Sequence, residues 1–143
     1  MYLFTEPPPD IVTTRNESVI LRGTAFLHCK TQSIEQPRIQ WIHKERNVGN
    51  SAKAYTYENG TLRILDATFD DAGAYICRAR TSGGQAEATI WLSVWQAPRA
   101  KIEPRELYAA EGATFNLSCS TEGRPKPEVI WYFRGKFFSV LLN

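Results

Sequence analysis

The chain matches itself, without gaps, at an offset of 90 residues. The matched pairs are Leu27 and Leu117, Cys29 and Cys119, Pro37 and Pro127, Ile39 and Val129, and Trp41 and Trp131. A repeat of this length indicates two copies of one kind of domain. The second copy is incomplete, because the counterpart of Cys77 would fall beyond the last of the 143 residues.

Short segments of the first copy alternate apolar and polar residues, which favours β-strands with one buried face. The clearest is 86–94, where Ala86, Ala88, Ile90, Leu92 and Val94 share one side. Asn59-Gly60 predicts a hairpin turn, and Ala97-Pro98-Arg99 is expected to end the last strand. The sequence therefore predicts an all-β protein, a two-sheet sandwich with strands at 18–20, 24–30, 38–44, 54–57, 61–65, 74–80 and 86–94.

Trp41 lies between Cys29 and Cys77, a spacing typical of small β-sandwiches. Around these three residues lie Leu62-Arg63-Ile64, Ala67 and the run Asp71-Ala72-Gly73-Ala74-Tyr75-Ile76-Cys77. In these residues the sequence resembles the immunoglobulin superfamily, most closely its I-set. The resemblance covers about residues 10–96 fully and 100–143 in part.

The resemblance implies an immunoglobulin-like Greek-key sandwich with a Cys29–Cys77 disulfide packed against Trp41. It also implies that the Tyr75 hydroxyl bonds backbone at a corner and that Asp71 pairs with Lys53. In the second copy Trp131 takes the place of Trp41, and Cys119 is left unpaired. Two free buried thiols, as in intracellular members of the superfamily, are the alternative for the first copy.

These features divide the chain into an N-terminal extension (1–9), a complete I-set domain (10–97) and the N-terminal half of a second, truncated domain (98–143). Such a half would expose its core strands and the apolar tail Phe137–Leu142. We therefore expect residues 98–143 to be poorly ordered or prone to aggregate.

Three Asn-x-Ser/Thr acceptors for N-linked glycans are present, at Asn16, Asn59 and Asn116. They predict passage through the secretory pathway. The sequence contains no secretory signal and no apolar run long enough to span a membrane. An extracellular or cell-surface location is expected, with the signal and any membrane anchor in segments outside this sequence.

A net charge of +2 is too small to favour nucleic acid as the partner. His28 and His43 are the only histidines, and neither stands in a nucleophile, base or metal-ligand pattern. Asp70 and Asp71 are adjacent near a strand start and do not form a convergent acid/base pair. The sequence predicts no enzyme, no metal and no cofactor.

A protein-binding face is predicted on the sheet that contains the C, F and G strands of the family. Strand alternation turns its side chains outward, and an exposed Trp beside Ile and Arg is typical of interface hot spots. The alternative is that Trp91 is covered by a neighbouring domain. The candidate residues are Gln40, Ile42, Lys44, Ile76, Arg78, Arg80, Thr89 and Trp91.

We expect an extracellular recognition module of a cell-surface adhesion or receptor protein. It would bind an immunoglobulin-like or matrix protein, homophilically or heterophilically, and an anionic glycosaminoglycan is an alternative ligand of its basic residues. Two alternatives remain for the parent protein. It could be a receptor kinase or matrix enzyme with this chain as accessory module, or a cytoplasmic muscle protein in which the domain is structural.

Overall fold

The computed structural model describes residues 5–138. By its contacts the chain divides into two units, with the boundary between Trp95 and Gln96. Apart from one short 3-10 helix (Phe69–Asp71), the regular elements are strands. In chain order they are β1 (Asp10–Thr13), β2 (Glu17–Ile20), β3 (Ala25–Leu27), β4 (Lys30–Gln32), β5 (Arg38–His43), β6 (Arg46–Val48), β7 (Ala54–Thr56), β8 (Leu62–Ile64), β9 (Gly73–Thr81), β10 (Gly84–Glu103), β11 (Ser118–Arg124), β12 (Trp131–Phe133) and β13 (Lys136–Phe138).

The first unit contains two main sheets, and this all-β sandwich is the predicted fold. One sheet has the order β10-β9-β5-β6, and β2 pairs in parallel with β10 on the other side. The other has the order β3-β8-β7, while β1 pairs with β4. The chain therefore leaves one sheet and returns to it through the other, as a Greek-key sandwich requires.

Residues 24–30, predicted as one strand, form two. Ala25–Leu27 pair with β8, whereas from Lys30 onward the chain pairs with β1. The interruption at His28 and Cys29 is thus a change of partner strand, which local alternation does not reveal.

The predicted strand 38–44 ends one residue early, at His43. Lys44 and Glu45 have φ angles of 49° and 62°, and His43 pairs directly with Arg46. They form a two-residue turn of the type usually made by Asn-Gly. The hairpin adds β6, a three-residue edge strand that the sequence did not predict.

The core of the first unit lies between the two sheets and is built by alternation along each strand. Burial in β10 increases along the predicted face, from half-buried Ala86 and Ala88 to buried Ile90, Leu92 and Val94. Trp41 is completely buried, and its indole N–H donates to the Gly60 carbonyl at 3.0 Å. Other buried apolar residues are Ala25, Leu27, Cys29, Leu62, Ile64, Ala67, Tyr75, Cys77 and Ala79.

Pro98 does not end β10, contrary to the sequence prediction. Pairing with β2 stops at Trp95, and from Gln96 onward the strand pairs with β11. The register shifts between Gln96 and Arg99, so Pro98 lies at an irregular position where its missing N–H breaks no ladder bond.

The second unit pairs β11 with residues 96–103 and β12 with β13. None of residues 96–136 is fully buried. Leu117 is 44% exposed, whereas its counterpart Leu27 in the first copy is 0% exposed. The expected apolar tail, Phe137–Leu142, lies outside the residues whose side chains are described.

The segment predicted as an N-terminal extension lies against the first unit. A Cβ atom at Gly83 would clash with the carbonyl oxygens of Glu6 and Pro7. The turn between β9 and β10 therefore needs glycine at this position.

Candidate protein-recognition face

The outward side chains of β5, β9 and β10 stand in rows, because residues directly opposite on antiparallel strands share a face. Ile42 lies opposite Ile76, which lies opposite Thr89. The next two rows are Gln40, Arg78 and Glu87, followed by Arg38, Arg80 and Gln85. We call these rows, together with Trp91, the recognition face.

The apolar part of the recognition face is Ile42, Ile76 and Trp91. Ile42 and Ile76 are half-buried by their neighbours, while Trp91 keeps 55% of its surface exposed. Aromatic residues with this exposure are enriched where proteins bind one another. The first unit itself does not cover Trp91.

The cationic part is Arg38, Arg78 and Arg80. Arg78 forms an ion pair with Glu87 at 2.5 Å, and Arg80 donates to the Gln85 side-chain carbonyl at 3.1 Å. Arg38 and Arg80 are both exposed and directly opposite on neighbouring strands. Like charges in this position repel. A carboxylate of a partner that bound between the two guanidinium groups would reduce this repulsion. Arg38 was not predicted, because its place beside Arg80 depends on the register between β5 and β9.

Lys44, predicted as part of the face, lies in the β5–β6 turn instead. Its ammonium group donates to the Asp70 carbonyl oxygen at 2.6 Å. The positive φ angle at Lys44 removes it from the strand alternation on which the prediction rested.

A cluster of polar side chains, Lys53, Thr68 and Asp71, lies just before β9 and fixes the start of that strand. One carboxylate oxygen of Asp71 accepts from the Thr68 backbone N–H at 2.7 Å and from the Thr68 hydroxyl at 2.9 Å, and it lies 2.7 Å from the Lys53 ammonium. Burial acts to raise the pKa of Asp71, but Lys53 and Thr68 outweigh it and hold that pKa below its ordinary value.

Tyr75 completes this cluster. Its hydroxyl donates to the Asp71 carbonyl oxygen at 2.7 Å, which is the backbone bond that the sequence predicted. Burial, with the Asp71 charge as a smaller contribution, raises the pKa of the Tyr75 hydroxyl well above its ordinary value. The neutral Tyr75 hydroxyl anchors the strand that carries Ile76 and Arg78.

The two histidines serve structural contacts. His43 stacks on Tyr75 with ring centroids 4.0 Å apart, and its Nδ1 lies 2.9 Å from the Ala74 carbonyl oxygen. His28 lies 3.1 Å from the Thr61 hydroxyl. Across residues 5–138, no group of three or more His, Cys, Asp or Glu side chains is placed to hold a metal ion.

Cys29 and Cys77 form a disulfide that closes a separation of 48 residues and lies in the core. Cys119 is a free, partly buried thiol, and half-buried Trp131 lies near it, lining a surface depression in the second unit. The repeat therefore aligns two tryptophans that differ in burial: Trp41 is completely buried, whereas Trp131 is half-buried.

All three glycan acceptor asparagines are exposed. Asn16 immediately precedes β2, and its side-chain oxygen accepts from the Trp91 backbone N–H at 3.0 Å. Asn59 lies in the turn between β7 and β8, and Asn116 lies two residues before β11.

The family model of the immunoglobulin I-set domain matches residues 4–94 and again residues 98–140. This chain belongs to the immunoglobulin I-set family. The two matches agree with the repeat read from the sequence.

Two curated relatives of this I-set chain are human hemicentin-1 and rat neural cell adhesion molecule L1. Hemicentin-1 is 30% identical over 135 residues, which covers 93% of this chain and 2% of hemicentin-1. L1 is 32% identical over 118 residues, which covers 82% of this chain and 9% of L1. The chain therefore spans a small fraction of the length of these relatives, of which L1 is by its name a cell adhesion molecule.

Among solved structures, the I-set chain is similar to extracellular domains 3–5 of Drosophila OTK. The TM-score is 0.71 at 27% identity, over 94% of this chain and 46% of the OTK chain. Within residues 5–138, no helix combines the length and the apolar character needed to cross a membrane.

Proposed function

We propose that this chain is an extracellular recognition module of an adhesion or receptor protein and that it binds a partner protein through the recognition face. The observation that carries the proposal is the combination of exposed Trp91 with Ile42, Ile76 and three arginines on one rigid sheet. L1, whose name describes a cell adhesion molecule, supports the class of function. The buried Cys29–Cys77 disulfide supports an oxidising location.

Binding would be non-covalent apposition of this face with a partner. Trp91 and the two isoleucines would supply the apolar contact that is removed from water. The three arginines favour a partner with acidic side chains, because a carboxylate can accept from a guanidinium in bidentate fashion. Such charges mainly set the association rate and the choice of partner.

Two alternatives concern the parent protein. As an accessory ectodomain module of a receptor kinase or matrix enzyme, the chain would use the same face, with the chemistry elsewhere in the protein. As a structural module of a cytoplasmic muscle protein, it would carry no glycans. A mass decrease on enzymatic deglycosylation of the native protein contradicts the muscle alternative.

The test uses an array of cell-surface and matrix ectodomains, with this chain itself included, probed with the multimerised chain. Trp91→Ala and Arg78→Glu are each expected to weaken a detected interaction about tenfold or more, the loss typical of hot-spot residues. Lys30→Glu is the matched control, because it makes the same charge change at an exposed residue of β4, a strand outside the sheet of the recognition face.

Equal binding by all three variants and the unmodified chain would contradict the assignment of the face. A heparin column distinguishes the glycosaminoglycan alternative. That alternative predicts retention that falls steeply with salt and is insensitive to Trp91→Ala.

A further inference from the structure

The sheet opposite the recognition face exposes a cluster of aromatic rings around one arginine. Arg63 of β8 lies directly between Phe26 of β3 and Tyr55 of β7. Its guanidinium carbon is 6.0 Å from the Tyr55 ring centre and 5.8 Å from that of Tyr57. The Tyr55 and Tyr57 rings meet edge to face at 5.4 Å. Phe26, Tyr55 and Tyr57 all remain exposed, so the cluster forms an apolar surface that is accessible to a ligand.

Tyr57 begins the tight turn that joins β7 to β8. The Gly60 N–H donates to the Tyr57 carbonyl, and the Tyr57 N–H donates to the Thr61 carbonyl, both at 2.9 Å. Gly60 has a φ of 85°, as expected for a turn followed by a glycine bulge. Tyr57 therefore lies two residues before Asn59 within one hydrogen-bonded turn.

The Asn59 side chain is hydrogen-bonded within its own turn. Its side-chain oxygen accepts from the Thr61 backbone N–H at 3.0 Å, which leaves the amide nitrogen of this exposed residue directed away from that bond. Thr61, the hydroxyl residue of the acceptor motif, is buried and bonded to His28. Glycan attachment at Asn59 must therefore precede closure of this hairpin.

We propose that Asn59 carries an N-linked glycan whose first sugar ring packs on Tyr57, so that the protein's own carbohydrate covers the aromatic cluster and stabilises the domain. The C–H face of a pyranose is apolar and carries slight positive charge, which complements the negative face of an aromatic ring. Tyr57 has 37% of its surface exposed for this contact. The proposal goes beyond the recognition function. The two have in common only that each requires passage through the secretory pathway.

The attachment step needs a polyprenyl-diphosphate-linked oligosaccharide as co-reactant. The Asn59 amide nitrogen forms a bond to C1 of the first N-acetylglucosamine as the bond from C1 to the diphosphate oxygen breaks. The polyprenyl diphosphate leaves with the electron pair, and the nitrogen loses one proton to the transferase base. No oxidation or reduction is involved.

The experiment begins with mass spectrometry of the 143-residue chain, secreted from cells that make only high-mannose glycans. Melting is then compared in an Asn16→Gln/Asn116→Gln background for two forms. Endoglycosidase H leaves one sugar on Asn59. Peptide N-glycosidase F leaves none and converts Asn59 to Asp, a change that is the same whichever residue stands at position 57. Each form is prepared with Tyr57, with Tyr57→Phe and with Tyr57→Ala.

The melting temperature of the one-sugar form minus that of the sugar-free form is expected to be roughly 4 °C larger when residue 57 is Tyr or Phe than when it is Ala. Comparing glycoforms within each variant cancels any direct effect of the substitution on folding. An equal shift in all three, or an unoccupied Asn59 beside an occupied Asn16 or Asn116, overturns this proposal and leaves the recognition function standing. If none of the three acceptors is occupied, this proposal also fails, and the recognition function is still tested separately by the binding array.

Discussion

Replacing Asp71 by Asn should destabilise the first unit through the polar cluster just before β9. Asn has nearly the same shape and keeps one oxygen acceptor for Thr68, but it loses the charge that strengthens these bonds and pairs with Lys53. Weakening this cap costs about 1 kcal/mol. The ion pair adds about 0.5 kcal/mol, because the Lys53 side chain is 46% exposed to screening solvent. The melting temperature should fall by roughly 8 °C.

The same charge gives the prediction a pH signature. The pKa of Asp71 is lower in the folded protein than its ordinary value, so the folded state favours the ionised form. Its contribution to stability is fully present above the pKa that Asp71 has in the unfolded chain, near 4. The contribution is lost as the pH falls through the pKa that Asp71 has in the folded protein. The stability gap between the unmodified chain and Asp71→Asn should be constant from pH 8 to 5 and should close below about pH 4.

Thermal melts followed by near-ultraviolet circular dichroism across this pH range would measure the gap. The control is Asp70→Asn, which removes the same charge from the exposed neighbouring residue. The Lys44 ammonium donates to the backbone carbonyl of Asp70, so this substitution leaves that bond in place. Asp70→Asn should melt within about 2 °C of the unmodified chain. A gap for Asp71→Asn that stays open at pH 2.5, or equal losses in both variants, would refute the assigned role of the carboxylate.

Two further changes test other parts of the first unit. Replacing both Cys29 and Cys77 by Ala should lower the free energy of unfolding by about 4 kcal/mol in urea titrations, since the disulfide closes a 48-residue separation; a loss below about 1 kcal/mol would contradict this. Lys44→Asn with Glu45→Gly should raise it by about 1 kcal/mol, because Asn-Gly accepts the positive φ angles at lower cost. A lower stability in the turn variant would show that the Lys44 bond to Asp70 outweighs the relief of backbone strain.

The parts of the fold that follow local rules could be predicted from the sequence. Residues 86–94 alternate in burial as they alternate in polarity, because the side-chain period of a strand is fixed by the backbone. The resemblance carried by Cys29, Trp41 and Cys77 indicated the sandwich itself. It also gave the disulfide that the structure contains.

Features that depend on pairing between distant strands could not be predicted. Arg38 became part of the face only through its register opposite Arg80, and Arg63 meets Tyr55 only through the register of β7 and β8. The β5–β6 turn was missed for a local reason, since Lys-Glu lacks the usual turn residues. Leu117 has the sequence surroundings of a core residue, but its burial requires partner strands that residues 96–136 do not provide.

The short strand β6 has a consequence for how copies of this domain behave when crowded. It ends the sheet of the recognition face with only three residues, and exposed Arg46 and Asn47 are two of them. A foreign strand adding there would gain few backbone bonds and would meet a charge. At this edge, crowded copies would therefore meet through reversible side-chain contacts, without adding strand to strand into a continuous sheet.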